Sequence, residues 1–258
     1  MNSRTTLVDC HSHIILSDIK SMVASARSKK IDEYSITEHV SQFTELRESI
    51  PFGSLHTTGR IFGDLASYKK EFSTIEDAGL LGVKVRMGLE VDFSPRYQAR
   101  VGEYVNQEEW DVLLCSVHEL EDGVDIEKTR KRSPDAIAVR NLWREYFGLQ
   151  LMALESDFIP FGVLTHPVRL CKGTGRVTGE IDDLLLDLAK TARKHRKALE
   201  LNGSDLEYAP GLVLKLANAC SEAGCRVSLG SDAHYPKDVF RNMPEAMALV
   251  ERYSLQRI

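Results

Sequence analysis

Leu7-Val8-Asp9-Cys10-His11-Ser12-His13 is a short apolar run that passes directly into His-x-His. A strand buried on both faces reads as a run of this kind rather than as an alternation. The same layout recurs along the chain. Residues 33–37, 84–90, 112–116, 161–165, 198–202 and 227–230 are also short runs of mostly apolar or β-branched type, which with 7–9 gives seven candidate strands. Helix-length stretches lie between them, at 65–78, 134–156, 180–195, 210–223 and 236–253. In the first of these, Leu65, Tyr68, Phe72 and Ile75 recur at helical spacing. Ser133 is placed to cap the second with Pro134 at its first position, and Gly224 to end the fourth.

Seven strands alternating with helices predict a single parallel α/β domain over residues 1–258, closed or nearly closed as a TIM-like (βα)7 barrel. A doubly wound open sheet is the alternative, and periodicity does not separate the two. The connections 40–63 and 119–133 are long for such a domain, which marks them as rim loops with a functional part.

Composition narrows the partners. With 43% hydrophobic and 28% charged residues the chain is globular, and its net charge of -5 argues against a dedicated nucleic-acid surface. It has no apolar run of about 18 residues, so no membrane partner is expected. The N-terminus lacks a signal-peptide layout and the five cysteines are scattered, so a cytoplasmic location is expected.

The histidines carry the chemistry. Six of eight fall near strand C-terminal ends: His11 and His13, His39, His118, His166 and His234. Glu90 ends a strand, and Asp232 stands two residues before His234. In a parallel βα barrel all these ends open on one rim, where active sites form. Imidazole and carboxylate are ligands for first-row divalent ions, and residues two apart near a strand end project to one side. His56 in a long loop and His195 in a basic run, Arg193 to Lys197, stay outside this set.

The ordered set His11-x-His13, Thr37-Glu38-His39, Gly88-Leu89-Glu90, Ser116-Val117-His118, Thr165-His166-Pro167 and Ser231-Asp232-Ala233-His234 resembles the polymerase-and-histidinol-phosphatase (PHP) domain family. Within it, residues 26–39, Gly88 to Phe93 and Ser116 to His118 look most like the histidinol-phosphate phosphatases. The resemblance implies a distorted seven-stranded barrel and a trinuclear centre of divalent ions such as Zn, Mn or Fe. It implies a first site of His11, His13, Glu90 and Asp232, and a second of Glu90, His118 and His166. The third would use His39, His234 and Asp18. Where the histidinol phosphatases are expected to carry a histidine, Ile19 stands instead, although other PHP phosphoesterases use an aspartate at the spacing of Asp18. Asp18 reads equally as the N-cap of a helix beginning at Ile19.

The implied reaction is metal-activated hydroxide attack on phosphorus, with Glu90, Asp232 and His234 as the catalytic set and a small-molecule phosphate ester as partner. Histidinol phosphate, in histidine biosynthesis, is the expected substrate. The alternatives are another phosphoester (nucleotide phosphate, phosphodiester or phosphotyrosine) or, less favoured for want of a bridging strand-end lysine, an amide. Arg169, Lys172 and Arg176 are candidate phosphate contacts. Glu200 and Asn202 end the sixth strand, where they could meet the substrate or orient a histidine. The acids Glu119, Glu121, Asp122 and Asp125 could attract an amine-bearing substrate or simply be solvated.

Overall fold

Seven parallel strands, hydrogen-bonded in chain order, make up the sheet of the computed structural model, which describes residues 6–50, 59–77 and 82–258. They are β1 (Val8–Asp9), β2 (Glu33–His39), β3 (Lys84–Asp92), β4 (Val112–Ser116), β5 (Val163–Leu164), β6 (Ala198–Asn202) and β7 (Arg226–Gly230). Chain order is barrel order; a doubly wound sheet would reverse at a switch point. β1 and β7 meet mainly beyond their ends, where Cys10 N donates to Leu229 O at 2.9 Å, Asp232 N to His11 O at 2.9 Å and His13 N to Ala233 O at 2.8 Å. The barrel is therefore nearly closed, and its seam is stitched by the segments that carry His11, His13 and Asp232.

Ten helices join the strands among the described residues: α1 (Ile19–Ser28), α2 (Thr44–Arg47), α3 (Leu65–Asp77), α4 (Gln98–Val105), α5 (Ala136–Glu155), α6 (Leu170–Thr174), α7 (Ile181–Lys194), α8 (Gly203–Tyr208), α9 (Pro210–Ala223) and α10 (Met243–Arg252). The long ones lay one apolar stripe on their neighbours. α7 buries Ile181, Leu185, Leu188 and Ala192, and packs against α9, which buries Leu212, Val213 and Leu216. Gly224 ends α9 in the left-handed conformation at φ 65°, as its position predicts.

Two expectations are corrected. Asp135, not Ser133, caps α5: its carboxylate accepts from Ala138 N, while the Ser133 hydroxyl donates to Arg130 O. The stretch 236–253 is not one helix. A 3-10 turn at Pro236–Asp238 is followed by left-handed Phe240 and Asn242, and α10 starts anew at Met243. Pro244 explains the break, since proline fits a helix's first turn but not its interior.

Gly88 in β3 shows how tightly the sheet is packed. A Cβ there would lie 2.3 Å from Val112 O and 3.0 Å from Thr37 Cγ2. Gly88→Ala should therefore destabilise the metal-free protein by about 1–3 kcal/mol, read as a lower midpoint in denaturant unfolding.

Candidate metal centre

Strand register does the first part of the assembly. β2 and β3 pair so that His39 stands beside Glu90, and β3 and β4 pair so that Asp92 stands beside Ser116, two residues before His118. Glu90 becomes the centre of the rim. Its Oε1 lies 2.9 Å from His166 Nε2 and 3.8 Å from His118 Nε2. Its Oε2 lies 2.9 Å from His39 Nδ1, 3.4 Å from His11 Nε2 and 3.5 Å from His13 Nε2. The seam supplies Asp232, whose Oδ1 is 3.8, 3.5 and 3.7 Å from nitrogens of His11, His13 and His234.

Three overlapping groups have ligand atoms all within 4.8 Å of one another: His11/His13/Asp232, His39/Glu90/His118 and His13/His39/His234. The donor set fits divalent metal. Glu90 Oε2 is buried and makes no hydrogen bond despite its imidazole neighbours, and His11 Nε2 and His13 Nε2 approach to 3.0 Å. Imidazole nitrogens and carboxylate oxygens converging in a dry site need protons or a metal cation to be satisfied.

A second layer of carboxylates aims the imidazoles. His11 Nδ1 pairs with Glu200 Oε1 at 2.9 Å, His13 Nδ1 with Glu38 Oε1 at 3.2 Å and His118 Nδ1 with Asp92 Oδ1 at 2.5 Å. With the carboxylates as acceptors, each Nδ1–H donates outward and each Nε2 turns its lone pair inward, the usual outer support of a metal-binding histidine. His166 and Asp232 both sit at positive φ, 31° and 54°, a conformation the packed rim must hold in place.

Charge follows this arrangement. Burial opposes ionisation of Glu90, yet His11, His39 and His118 hold its carboxyl well below the usual range. Burial likewise opposes ionisation of Asp232, which Arg169, His13, His11 and His234 overcome. For His11, burial is outweighed by Glu200 and Glu90, and its proton affinity rises well above normal. His13 is raised to about 9 against its burial by Asp232 and Glu38. His234 is lowered to about 4 by burial and by His13.

The structure brings His11, His13, His39, Glu90, His118, His166, Asp232 and His234 together. It does not bring Asp18. That side chain is exposed at the start of α1, accepting from Ser21 N at 2.9 Å and from the Ser21 hydroxyl, so it is the helix N-cap. Arg169 is buried, but not as an open phosphate clamp. Its Nε donates to Asp205 at 2.5 Å and one terminal nitrogen donates to Asp232 at 2.7 Å and Asn202 at 3.2 Å, so it steadies Asp232. Lys172 pairs with Glu127 at 2.6 Å. Arg176 is exposed and donates to the carbonyls of Ser133 and Pro134, fastening its loop to the segment before α5.

Glu200 and Asn202 are buried and occupied. Glu200 accepts from His11 Nδ1, from His166 N at 2.9 Å and from Asn202 Nδ2 at 2.8 Å, which makes it an orienting group rather than an open substrate contact. His195 lies at the end of α7, away from these bonds, and His56 lies outside the described residues. Sequence reasoning assigned no role to Glu38, Asp92 or Asp205. For Glu38 and Asp92 the available signal was a carboxylate close to a candidate ligand within a strand, since a buried acid there must find a partner.

Beside the centre a cavity of about 540 Å³ opens from His118 and Asp92, between Phe93, Tyr97, Glu119 and Glu121.

The sequence pattern of the PHP domain matches residues 9–204. Among curated proteins, the chain is 22% identical to a histidinol-phosphatase of Lactococcus lactis, over 88% of this chain and 87% of that protein. It is 23% identical to a probable histidinol-phosphatase of Thermotoga maritima, over 97% and 94%. Among solved structures, the Lactococcus lactis histidinol phosphate phosphatase complexed with zinc, L-histidinol and phosphate superposes with a TM-score of 0.79 at 18% identity, covering 98% of this chain and 95% of that one.

Two outcomes follow from the geometry. Asp18→Ala should cost about 0.5–2 kcal/mol of stability through the lost cap, with metal content by elemental analysis unchanged. Metal must displace protons from His11, His13 and His118, all of raised proton affinity. Metal affinity in chelator competition should therefore rise with pH through about 9, where His13 loses its proton unaided.

Proposed function

The chain belongs to the PHP domain family, and from that footing we propose that it is a metal-dependent phosphomonoesterase acting on L-histidinol phosphate. The observation that carries the reading is the single buried cluster of imidazoles and carboxylates around Glu90 at the barrel rim. The histidinol-phosphatase names of relatives that align over most of the chain support the substrate.

In this reading His11, His13, His39, Glu90, His118, His166, Asp232 and His234 hold the ions, three in number, with zinc as the first choice and manganese or iron also suited to such ligands. Divalent ions held there would lower the pKa of water and offset charge gathering on the phosphoryl oxygens. The protein's own part is positional. Glu90 and Asp232 remain ionised at neutral pH, as their lowered proton affinities require. His234 is neutral at that pH, and its side chain is 27% exposed where the other five imidazoles are at most 10%, so it faces the arriving ester. The Cys10 thiol is not available as a nucleophile, because burial pushes it up to about 11.

The cavity next to His118 suits the leaving group. Phe93 and Tyr97 offer apolar surface, and Glu119 and Glu121 offer negative charge to an amine or a protonated imidazole. Hydrolysis releases an amino alcohol and phosphate, both small molecules. Neither a nucleic acid nor a membrane is required; among the described residues no helix is long and apolar enough to cross one. We place the reaction in the cytoplasm, carried out by residues 1–258 as one domain.

The test is phosphate release from L-histidinol phosphate by metal-quantified protein, beside nucleotide phosphates, diesters and phosphotyrosine. Preferred turnover of histidinol phosphate is expected. Glu90→Gln should lower kcat about a thousandfold or more, the rate equivalent of several kcal/mol. Equal or faster turnover of a nucleotide, diester or phosphotyrosine would sink the substrate assignment while leaving the metal centre standing.

A further inference from the structure

Glu38 precedes a ligand without being one, and it touches two strands' worth of the centre. It is fully buried at the end of β2. Its Oε1 accepts from His13 Nδ1 at 3.2 Å and from His39 N at 3.1 Å, and its Oε2 accepts from Ile14 N at 2.9 Å. Three donors from the segment after β1 and from β2 thus end on one carboxylate. His13 belongs to two of the three ligand groups and His39 to two, and both belong to the group completed by His234. The two rings lie 4.1 Å apart and within 9° of parallel. Whatever fixes one against the other fixes the junction of all three groups.

We infer that Glu38 is a positioning residue that registers His13 against His39 and thereby sets the metal affinity of the His13/His39/His234 group. The inference rests on the metal-centre reading given above. Its chemistry is specific to a carboxylate. All three contacts are donor to acceptor, and glutamine has only one acceptor oxygen, so in Glu38→Gln at least one donor would face an amide N–H. The carboxylate also keeps the proton of His13 on Nδ1, which leaves Nε2 as the ligand atom and makes it a better donor to metal.

The experiment is a Co2+ titration of metal-free protein, followed by the visible d–d bands. In Glu38→Gln, uptake of at least one ion should weaken about 10- to 100-fold, while metal-free melting shows the variant folded. Glu38→Asp, which keeps the charge with a shorter reach, should recover part of the loss. Unchanged Co2+ affinities in Glu38→Gln would overturn the inference. Failure of the wild type to bind Co2+ would instead overturn the metal-centre reading beneath it. Should Glu38→Gln not fold, the zinc-loaded wild type decides by two-bond 1H–15N correlation spectra. A slowly exchanging proton on His13 Nδ1 is expected, and a bare Nδ1 would refute the assignment.

Discussion

The Glu90 carboxylate is the constraint around which the rim is arranged. It is fully buried, which for a lone carboxylate would be prohibitively costly. Five imidazoles stand within 4 Å of its two oxygens, and His11, His39 and His118 hold it ionised. Those imidazoles come from β1, β2, β4 and β5 or the segments just beyond them, so the carboxylate on β3 can be satisfied only when the strands are in register. A shift of one residue would turn His39 and Glu90 to opposite faces. The electrostatic centre and the sheet register therefore specify each other.

The layer behind it works by the same rule. Glu200, Glu38 and Asp92 each accept a hydrogen bond from an Nδ1–H, and Arg169 donates to one oxygen of Asp232 while pairing with Asp205. Glu200 also accepts from His166 N, so one side chain on β6 steadies ligands from the first and fifth strand ends. Asp9 performs the corresponding task at the seam. It accepts from Ser231 N at 2.8 Å, from the Ser231 hydroxyl at 2.6 Å and from Phe240 N at 2.9 Å, which holds the segment carrying Asp232 and His234 against β1. Barrel closure is thus achieved by polar contacts that also place ligands, rather than by a continuous ladder.

The fold and the gathering of eight candidate ligands on one rim were legible because they rest on local patterns. Apolar runs mark buried strands, and a histidine at a strand's C-terminal end must lie on the rim of a parallel barrel. What was not legible depends on tertiary pairing. Nothing near Arg169 in the chain shows that its guanidinium is committed to Asp205, Asn202 and Asp232, residues 33 to 63 positions away. Glu200 reads in the sequence as a strand-end acid that could meet substrate or orient a histidine, and only the barrel decides between them by bringing His11 to it. Asp18 is the instructive case. The family resemblance implied a ligand, but a short acid immediately before a helix finds its donors locally at Ser21, and local capping prevailed over a longer reach. The helix expected over 236–253 failed for a related reason, because a proline's effect depends on where a turn begins.

The same carboxylates that would balance metal ions balance protons without them. Glu200 and Glu90 raise His11, and Asp232 and Glu38 raise His13, so protonated imidazoles and divalent ions compete for one set of negative charges. Exchange of one for the other leaves the outer hydrogen bonds in place, since each carboxylate accepts from Nδ1–H in either state. The rim can therefore keep its geometry across metal loading. The element that must yield is the Nε2 side, where His11 and His13 approach to 3.0 Å and have to part to admit an ion between them. A site built this way places its rigidity in the second layer and its adjustability in the first. That arrangement is suited to ligands that must hold an ion and still admit a phosphoryl group.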